Sequence, residues 1–461
     1  MTLTLVLPGP IEQELLASTR ALLETAGVLL ARRVDTPTGV RLLARRMIWV
    51  DEAAYLERSE THMVIASQGY VPALGAAELD DCVPIWFHTH PGEGASPRPS
   101  RWDRKVDRDI ADLFRLRSGS PDYATLILSP HGAHYSFTGA VHPETGKRLA
   151  IDRIWSVGDP WRLTRAADAA EAVLPDIFDR NVRAFGPTIQ SVLGQLDVAI
   201  VGSGGTGSAV AEQLVRLGVR RFTLVDPDML SDSNVTRVYG STPADVSRPK
   251  VEVLRDHLMD IAPDAVVSTV QGMGTLKATA RRLTGADVVF GCTDDNAGRL
   301  VLSRLSTWFL TPVIDIGVLL SSTADGGLTG IDGRVTTLAP GHACLVCRDR
   351  IDLARAAAEL QTPDERKRLA DEGYAPALGQ TEPAVVAFTT AVAAAAVNEL
   401  LDRLIGYGPP ERPSETLLRL HEREISTNRA DPRPHHYCHP SQAHWGAGGE
   451  DPFLGQLWPD A

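Results

Sequence analysis

Positive charge, cysteine and long apolar runs are what this 461-residue sequence has least of. Its 46 Lys and Arg stand against 58 Asp and Glu, a formal charge of -12, which argues against a nucleic-acid partner held through clustered cations. Five cysteines are too few, and odd in number, for a disulfide framework, and suit a reducing cytosol. The most apolar stretch, PAVVAFTTAVAAAAV (383–397), falls short of the roughly 18 residues of a membrane span. Flanked by Glu382 and Glu399, it reads as a buried, Ala-rich helix. The N-terminal MTLTLVLPGPIEQELL has no cationic stretch before its apolar run, which argues against a signal peptide. What remains, 43% hydrophobic and 23% charged residues, is the composition of a globular cytoplasmic protein with no membrane partner.

At ~150 residues per domain the length allows three domains. The patterning gives two. The first 160 residues mix a helical pattern (11–23) with strand-like runs at 27–33, 46–50, 62–69 and 83–90, a charged helix at 101–117, and strands at 125–129 and 134–141. That mixture predicts an α+β domain. Residues 162–186 read as a helical connection with a break at Pro175. Beyond it, short apolar strands at 196–202, 221–226, 287–293 and 311–317 alternate with helical stretches, the pattern of an α/β domain with a mostly parallel sheet. The expected division is 1–160, a linker over 161–182, and 183–461.

In the first domain, WFHTHPGEGASPRPSRWD (86–103) places His88 and His90 two apart at a strand end, so their side chains share one face. Asp103 opens the next helix. Two imidazoles and a carboxylate supply three zinc ligands and leave a fourth position for water, whose pKa zinc lowers to about 7. Glu24, in ETAGVLLARR, is the candidate general base. The rival reading is structural: Ser100-x-x-Asp103 is also an ordinary helix cap. Taken together, His-x-His-Pro, the later Ser-x-x-Asp and a Glu before an apolar strand resemble the JAB/JAMM (MPN-type) zinc isopeptidases. The resemblance covers about residues 10–160. It implies that His88, His90 and Asp103 hold zinc, Glu24 activates water and Ser100 helps bind the oxyanion at the C-terminus of a ubiquitin-like protein. The loop from Pro91 to Ser100 is longer than the family's usual one.

The second domain opens with VAIVGSGGTGSAVAEQLVRLGVRRFTLVD (198–226): strand, Gly-rich turn, helix, strand and acid. Gly202, Gly204, Gly205 and Gly207 allow a tight turn and close approach to phosphates at a helix N-terminus. Asp226 is placed to bind ribose hydroxyls. Alone this suggests a dinucleotide fold, and an NAD-dependent oxidoreductase is one alternative. Asn234, Arg237, Lys250 and Asp294 shift the balance, because cations suit a triphosphate and an acid can hold magnesium. The series resembles the ThiF/MoeB family, the Rossmann-like adenylating domain shared with ubiquitin-activating enzymes, over about residues 180–440. By that resemblance Asp226 contacts ribose, Asn234, Arg237 and Lys250 contact the phosphates of ATP, and Asp294 serves Mg2+. Arg183 corresponds to an arginine that reaches into the partner subunit's site, which implies a homodimer. Cys344-x-x-Cys347, with His435-x-x-Cys438 at the same spacing where the family normally has a second Cys-x-x-Cys, implies a closed Cys3His structural site, with His436 and His439 as alternative ligands. Cys82 and Cys292 then read as packing residues, and the crossover 351–381 holds no cysteine for a thioester.

The two resemblances imply a bifunctional enzyme of a bacterial-style ubiquitin-like system. One site cleaves at the C-terminus of a small ubiquitin-like protein, in processing or deconjugation. The other adenylates its C-terminal glycine, with a conjugating enzyme or a sulfur donor downstream. Activation of a sulfur carrier for thiocarboxylate biosynthesis is the alternative.

Overall fold

Alternating apolar residues build the first half around one sheet. Its strands are β1 (Thr2–Pro8), β2 (Ala26–Thr36), β3 (Gly39–Trp49), β4 (Tyr55–Arg58), β5 (Met63–Ile65), β6 (Val83–Thr89), β7 (Asp122–His131), β8 (His134–Pro143), β9 (Leu149–Ala150), β10 (Arg153–Val157) and β11 (Arg162–Arg165). In the computed structural model, which describes residues 2–449 except 93, 95, 170–172, 324, 326, 362, 363, 367 and 369–383, nine of these form a sheet in the order β11-β10-β1-β3-β2-β6-β7-β8-β9, and β4 and β5 pair separately. Along β2, Leu29 and Ala31 enter one core with Leu5, Phe87, Leu126 and Phe137, while Val28 and Leu30 enter another with Trp86, Phe114 and Tyr123. Helix α1 (Gly9–Ser18) gives Ile11 and Leu15 to the first core; α2 (Val71–Leu79) and α3 (Arg101–Ser118) cover the second. Each fully buried Leu or Phe contributes about 1.5–3 kcal/mol before conformational entropy is counted. Helix α3 starts at a capping box formed by Ser100 and Asp103 and ends at Gly119, whose φ of 67° stops it.

The second half contains α4 (Asp179–Leu193), β12 (Asp197–Val201), α5 (Gly205–Arg216), β13 (Arg221–Val225), α6 (Asp232–Val235), α7 (Lys250–Ile261), β14 (Val266–Val270), α8 (Lys277–Leu283), β15 (Val288–Gly291), α9 (Asn296–Trp308), β16 (Val313–Ser322), β17 (Leu328–Leu338), α10 (Leu353–Glu359), α11 (Val386–Ile405), β18 (Glu415–Arg419) and β19 (Glu424–Asn428). Its sheet runs β14-β13-β12-β15-β16-β17-β18-β19. The first five strands are parallel and the pairs from β16 onward antiparallel, so the sheet is mixed. The chain moves from β12 outward to β13 and β14, then returns to β15 on the other side of β12. That reversal opens a crevice at the strands' C-terminal ends. Helix α11 packs on α5, β16 and β17.

Compact units group residues 1–171 with 308–310 and 443–450, and the remainder of the second half separately. Several expectations are corrected. The first helix ends at Ser18, not near residue 23. The N-terminal apolar run is a strand inside the sheet, parallel to both β3 and β10. Arg162–Arg165, read as the start of a helical connection, is a strand paired with β10, because its alternating side chains fit a sheet edge. Helix begins only at Asp179 and is interrupted at Gly186, where φ is 84° before Pro187. Residues 443–450, expected with the second domain, belong to the first unit. Part of the crossover 351–381 lies outside the described residues. No helix among the described residues is long and apolar enough to cross a membrane.

Candidate functional site

Strand register assembles a polar cluster in the first unit. Ala26 of β2 pairs with His88 of β6, so Glu24, two residues earlier, falls beside His90, two residues later. Glu24 Oε1 lies 4.0 Å from His90 Nε2. The Nε2 atoms of His88 and His90 are 3.1 Å apart, and Asp103 Oδ1 is 3.4 Å from the first. Asp103 Oδ2 is 3.8 Å from the second. Two facing imidazole nitrogens and a carboxylate carry more lone pairs than protons at neutral pH, a donor set that a divalent cation satisfies. Burial, followed by the charge of His88, lowers the pKa of His90, which favours the neutral ring a metal requires. Burial raises the pKa of Glu24. Burial alone would also raise Asp103, but the hydrogen bond and charge of His88, with the bonds from Ser100, carry it below the ordinary carboxylate range. Ser100 is exposed; its hydroxyl accepts from Asp103 N at 3.0 Å while its own N donates to Asp103 Oδ2 at 2.6 Å. Sequence reasoning missed Asp107, one turn further along α3. Its carboxyl, pushed up to about 6 chiefly by burial, accepts from Tyr123 Oη at 3.3 Å. The i,i+4 spacing from Asp103 was the available signal.

In the second unit a cleft of about 1090 Å³ lies at the crevice between β12 and β15. Gly202 has φ of 96°, and a Cβ on Gly207 would sit 1.8 Å from Gly202 O, so the turn into α5 closes only with glycine at both. Gly204 and Gly205 line the cleft beside it. Buried Asp226, just beyond β13, accepts from Ser203 N at 2.6 Å and Asp228 N at 2.9 Å, which fixes its orientation. Burial raises its pKa, against the pull of Lys250. Lys250 Nζ is held 2.7 Å from Asp228 Oδ2, and Arg237 donates to Ser233 O at 2.9 Å beside Gly205. Asn234 is buried at the cleft wall, where its Oδ1 accepts from Ser231 N at 3.2 Å and caps α6. Of the adjacent acids, Asp295 accepts from Gly298 N and the Thr293 hydroxyl at the start of α9, leaving exposed Asp294 to face the cleft. Cys292 lines the cleft too, but burial and then Asp315 push its thiol up, the wrong direction for a nucleophile. Cys82 is buried in the first unit, where burial likewise raises its thiol. Arg183 is 78% exposed on α4, paired with Asp179 at 2.9 Å, and is not among the cleft-lining residues. Asp228, Arg299, Asp315, Arg334 and Arg350 were not anticipated; only Arg299, inside GCTDDNAGR, lay in a segment the motifs pointed to.

The third cluster corrects one ligand. Cys344, Cys347 and Cys438 converge with His436, not His435. His436 Nδ1 lies 3.5 Å from Cys344 Sγ and 3.3 Å from Cys438 Sγ, and Cys347 Sγ is 3.6 Å from Cys438 Sγ. A tetrahedron of 2.3 Å metal–sulfur bonds has edges of roughly 3.8 Å, close to these separations. The tail turns through His435, whose φ of 62° and exposure send its ring outward while its neighbour faces the thiols. A hydrogen bond from Cys438 lowers the Cys344 thiol, toward the thiolate that a metal binds. His436→Ala should therefore lower bound zinc by about one per chain, and His435→Ala should not, as elemental analysis of the purified protein would read.

The ThiF family model matches residues 178–439. Ubiquitin-like modifier-activating enzyme 5 of Oryza sativa subsp. japonica is 32% identical over 164 residues, 32% of this chain and 37% of that protein. Molybdopterin-synthase adenylyltransferase of Escherichia coli K12 is 31% identical over 172 residues, 37% of this chain and 65% of that protein. Sulfur carrier protein ThiS adenylyltransferase of the same organism is 30% identical over 151 residues, 33% of this chain and 56% of that protein. The chain thus spans between about a third and two thirds of the length of these relatives.

Proposed function

Because the chain belongs to the ThiF family, we propose that its second unit adenylates the C-terminal carboxylate of a small ubiquitin-like protein, and that its first unit is a JAB/JAMM-type zinc peptidase acting at that same C-terminus. The observation that carries the first part is one cleft lined by the glycine turn, Asp226, Arg237, Lys250 and Asp294. The named relatives, which activate a ubiquitin-like modifier or adenylate a sulfur carrier, support a small-protein substrate.

In this reading the turn's backbone N–H groups and the start of α5 receive phosphates, and Asp226 receives ribose hydroxyls. Asp294 would hold magnesium, which supplies charge neutralisation to the phosphates. A carboxylate oxygen of the partner attacks the α-phosphorus, the bond to the bridging oxygen of the β-phosphate breaks, and pyrophosphate leaves. Arg237 and Lys250 meet the charge that builds on the leaving group. Arg183, exposed and outside its own chain's cleft, acts in the cleft of a second copy in a homodimer. The raised thiol of Cys292 and a crossover without cysteine favour handing the acyl-adenylate to an outside acceptor. That supports the second reading, sulfur-carrier activation, over a thioester on this chain.

In the first unit His88, His90 and Asp103 would hold zinc, which supplies a Lewis acid to the scissile carbonyl. Glu24 takes the proton of the attacking water and returns it to the leaving amine. Ser100 offers its hydroxyl to the developing oxyanion.

The test is pyrophosphate release by the full chain with ATP, magnesium and a small protein ending in Gly-Gly. Release that requires both ATP and the glycine-ended partner is expected. NAD binding with no response to ATP contradicts the proposal.

A further inference from the structure

Beyond the nucleotide end of the cleft, three arginines gather around two buried acids. Asp315 is fully buried on β16 and is bonded twice by Arg299, at 3.0 Å from Nε and 2.8 Å from Nη2. Arg334 on β17 reaches the same carboxylate only at 3.4 Å. Its Nε is buried with no hydrogen-bond partner among the described residues. Arg350 Nη2 donates to Glu415 at 2.8 Å, a carboxylate that Arg348 also approaches at 3.7 Å, and Arg350 Nε is likewise buried without a partner. Among the described residues, Arg299, Arg334 and Arg350 at the cleft wall hydrogen-bond two carboxylates between them, while Asp295 and Glu359 also act on Arg299 through charge. The side chains of Arg334 and Arg350 keep 20% and 34% of their surface exposed at the cleft wall, and a planar guanidinium fork fits a carboxylate. Room for the Arg334 fork comes from its cross-strand partner Gly317, where a Cβ would stand 3.1 Å from Nη2.

The position selects the ligand. The nucleotide end has its own cations in Arg237 and Lys250, beyond the β12 turn. From β15, whose end carries Asp294, to β17 is two strand spacings, about 10 Å. An extended chain covers that in about three residues. Ile316, Val318, Leu319 and Leu417 line the wall beside Asp332 and Arg419, a carboxylate and a guanidinium that offset each other in charge. We infer that Arg334, with Arg299 and Arg350, forms a carboxylate subsite selecting tails that carry an acidic residue about three positions before the C-terminal glycine. The inference rests on the adenylation reading and names the substrate class for it.

Two synthetic peptides ending in Gly-Gly, identical except for Glu or Gln three positions before the last glycine, test it on the full chain. Fluorescence anisotropy reads binding with ATP present, and pyrophosphate release reads KM. The Glu peptide should bind about tenfold to a hundredfold tighter. Arg334→Gln should erase that preference, and Arg334→Glu should favour a Lys peptide. Arg350→Gln checks the subsite from its other side, and thermal melting confirms that each variant folds. Equal binding of both peptides by the unmodified chain overturns the subsite. So does weakened binding of a fluorescent ATP analogue in Arg334→Gln with the peptide preference intact, because the anion is then the nucleotide's phosphate. A Glu preference with no pyrophosphate release from either peptide keeps the subsite and overturns adenylation instead.

Discussion

Lys250→Ala lowers partner-dependent pyrophosphate release by about 10²–10³-fold, the usual cost of removing one charge-stabilising donor from a closed site. Lys250 is 9% exposed and fixed by Asp228 at 2.7 Å, so its ammonium is already placed before phosphates arrive. Preorganisation of this kind makes its loss a loss of rate rather than of folding. Asp228 is 61% exposed and can return to water when its partner is gone, so the melting temperature changes little. Lys250→Arg should recover part of the rate, because the charge stays while the reach changes. Steady-state pyrophosphate release beside a thermal melt separates the outcomes. A fall in stability matching the fall in rate would mean that Lys250 only holds the loop after β13.

If the first unit is the proposed peptidase, Glu24→Gln should lower peptide-bond cleavage by about 10²–10⁴-fold while leaving zinc content and pyrophosphate release intact. The carboxylate lies 4.0 Å from His90 and is raised by burial, as a base handling protons beside a metal site requires. Burial also means that the neutral, isosteric amide fits the same pocket without uncovering a charge. His88→Ala, by contrast, should lose the metal together with cleavage, since His88 and Asp103 are 3.4 Å apart at the centre of the set. Cleavage of a ubiquitin-like fusion, followed by gel with zinc content measured alongside, distinguishes the two. Undiminished cleavage by Glu24→Gln would remove Glu24 as the base.

The two halves of the chain differ in how much of this was legible. β12, β13 and β15 stand out in sequence because each is a short apolar run ending at glycine or an acid, as a buried parallel strand must. β17 to β19 were not visible, since LTGIDGRVTTL mixes glycine, charge and threonine in an antiparallel half that faces the cleft. β1 hid behind its position at the N-terminus, although LTLVL alternates as a strand should. Among site residues, motifs brought Asp226, Arg237, Lys250 and Asp294 to one cleft: Asp226 and Asp294 follow the ends of β13 and β15, and Arg237 and Lys250 lie in the segment that leads from β13 into α7. They could not tell that Asn234 caps a helix as well as lining the wall, or that His436 rather than His435 faces the thiols. Both depend on local backbone turns that spacing alone does not fix. Arg334 had no signal at all: its partners Asp315 and Gly317 become neighbours only through strand pairing.

Exchange of labelled pyrophosphate into ATP tests the central claim most directly, because it reports reversible formation of the acyl-adenylate without any downstream acceptor. The account predicts exchange that requires magnesium and a partner ending in glycine, continues when Cys292 is replaced by alanine, and collapses in Lys250→Ala. Exchange that proceeds without a partner carboxylate, or none under any condition while NAD binds the same cleft, would contradict it.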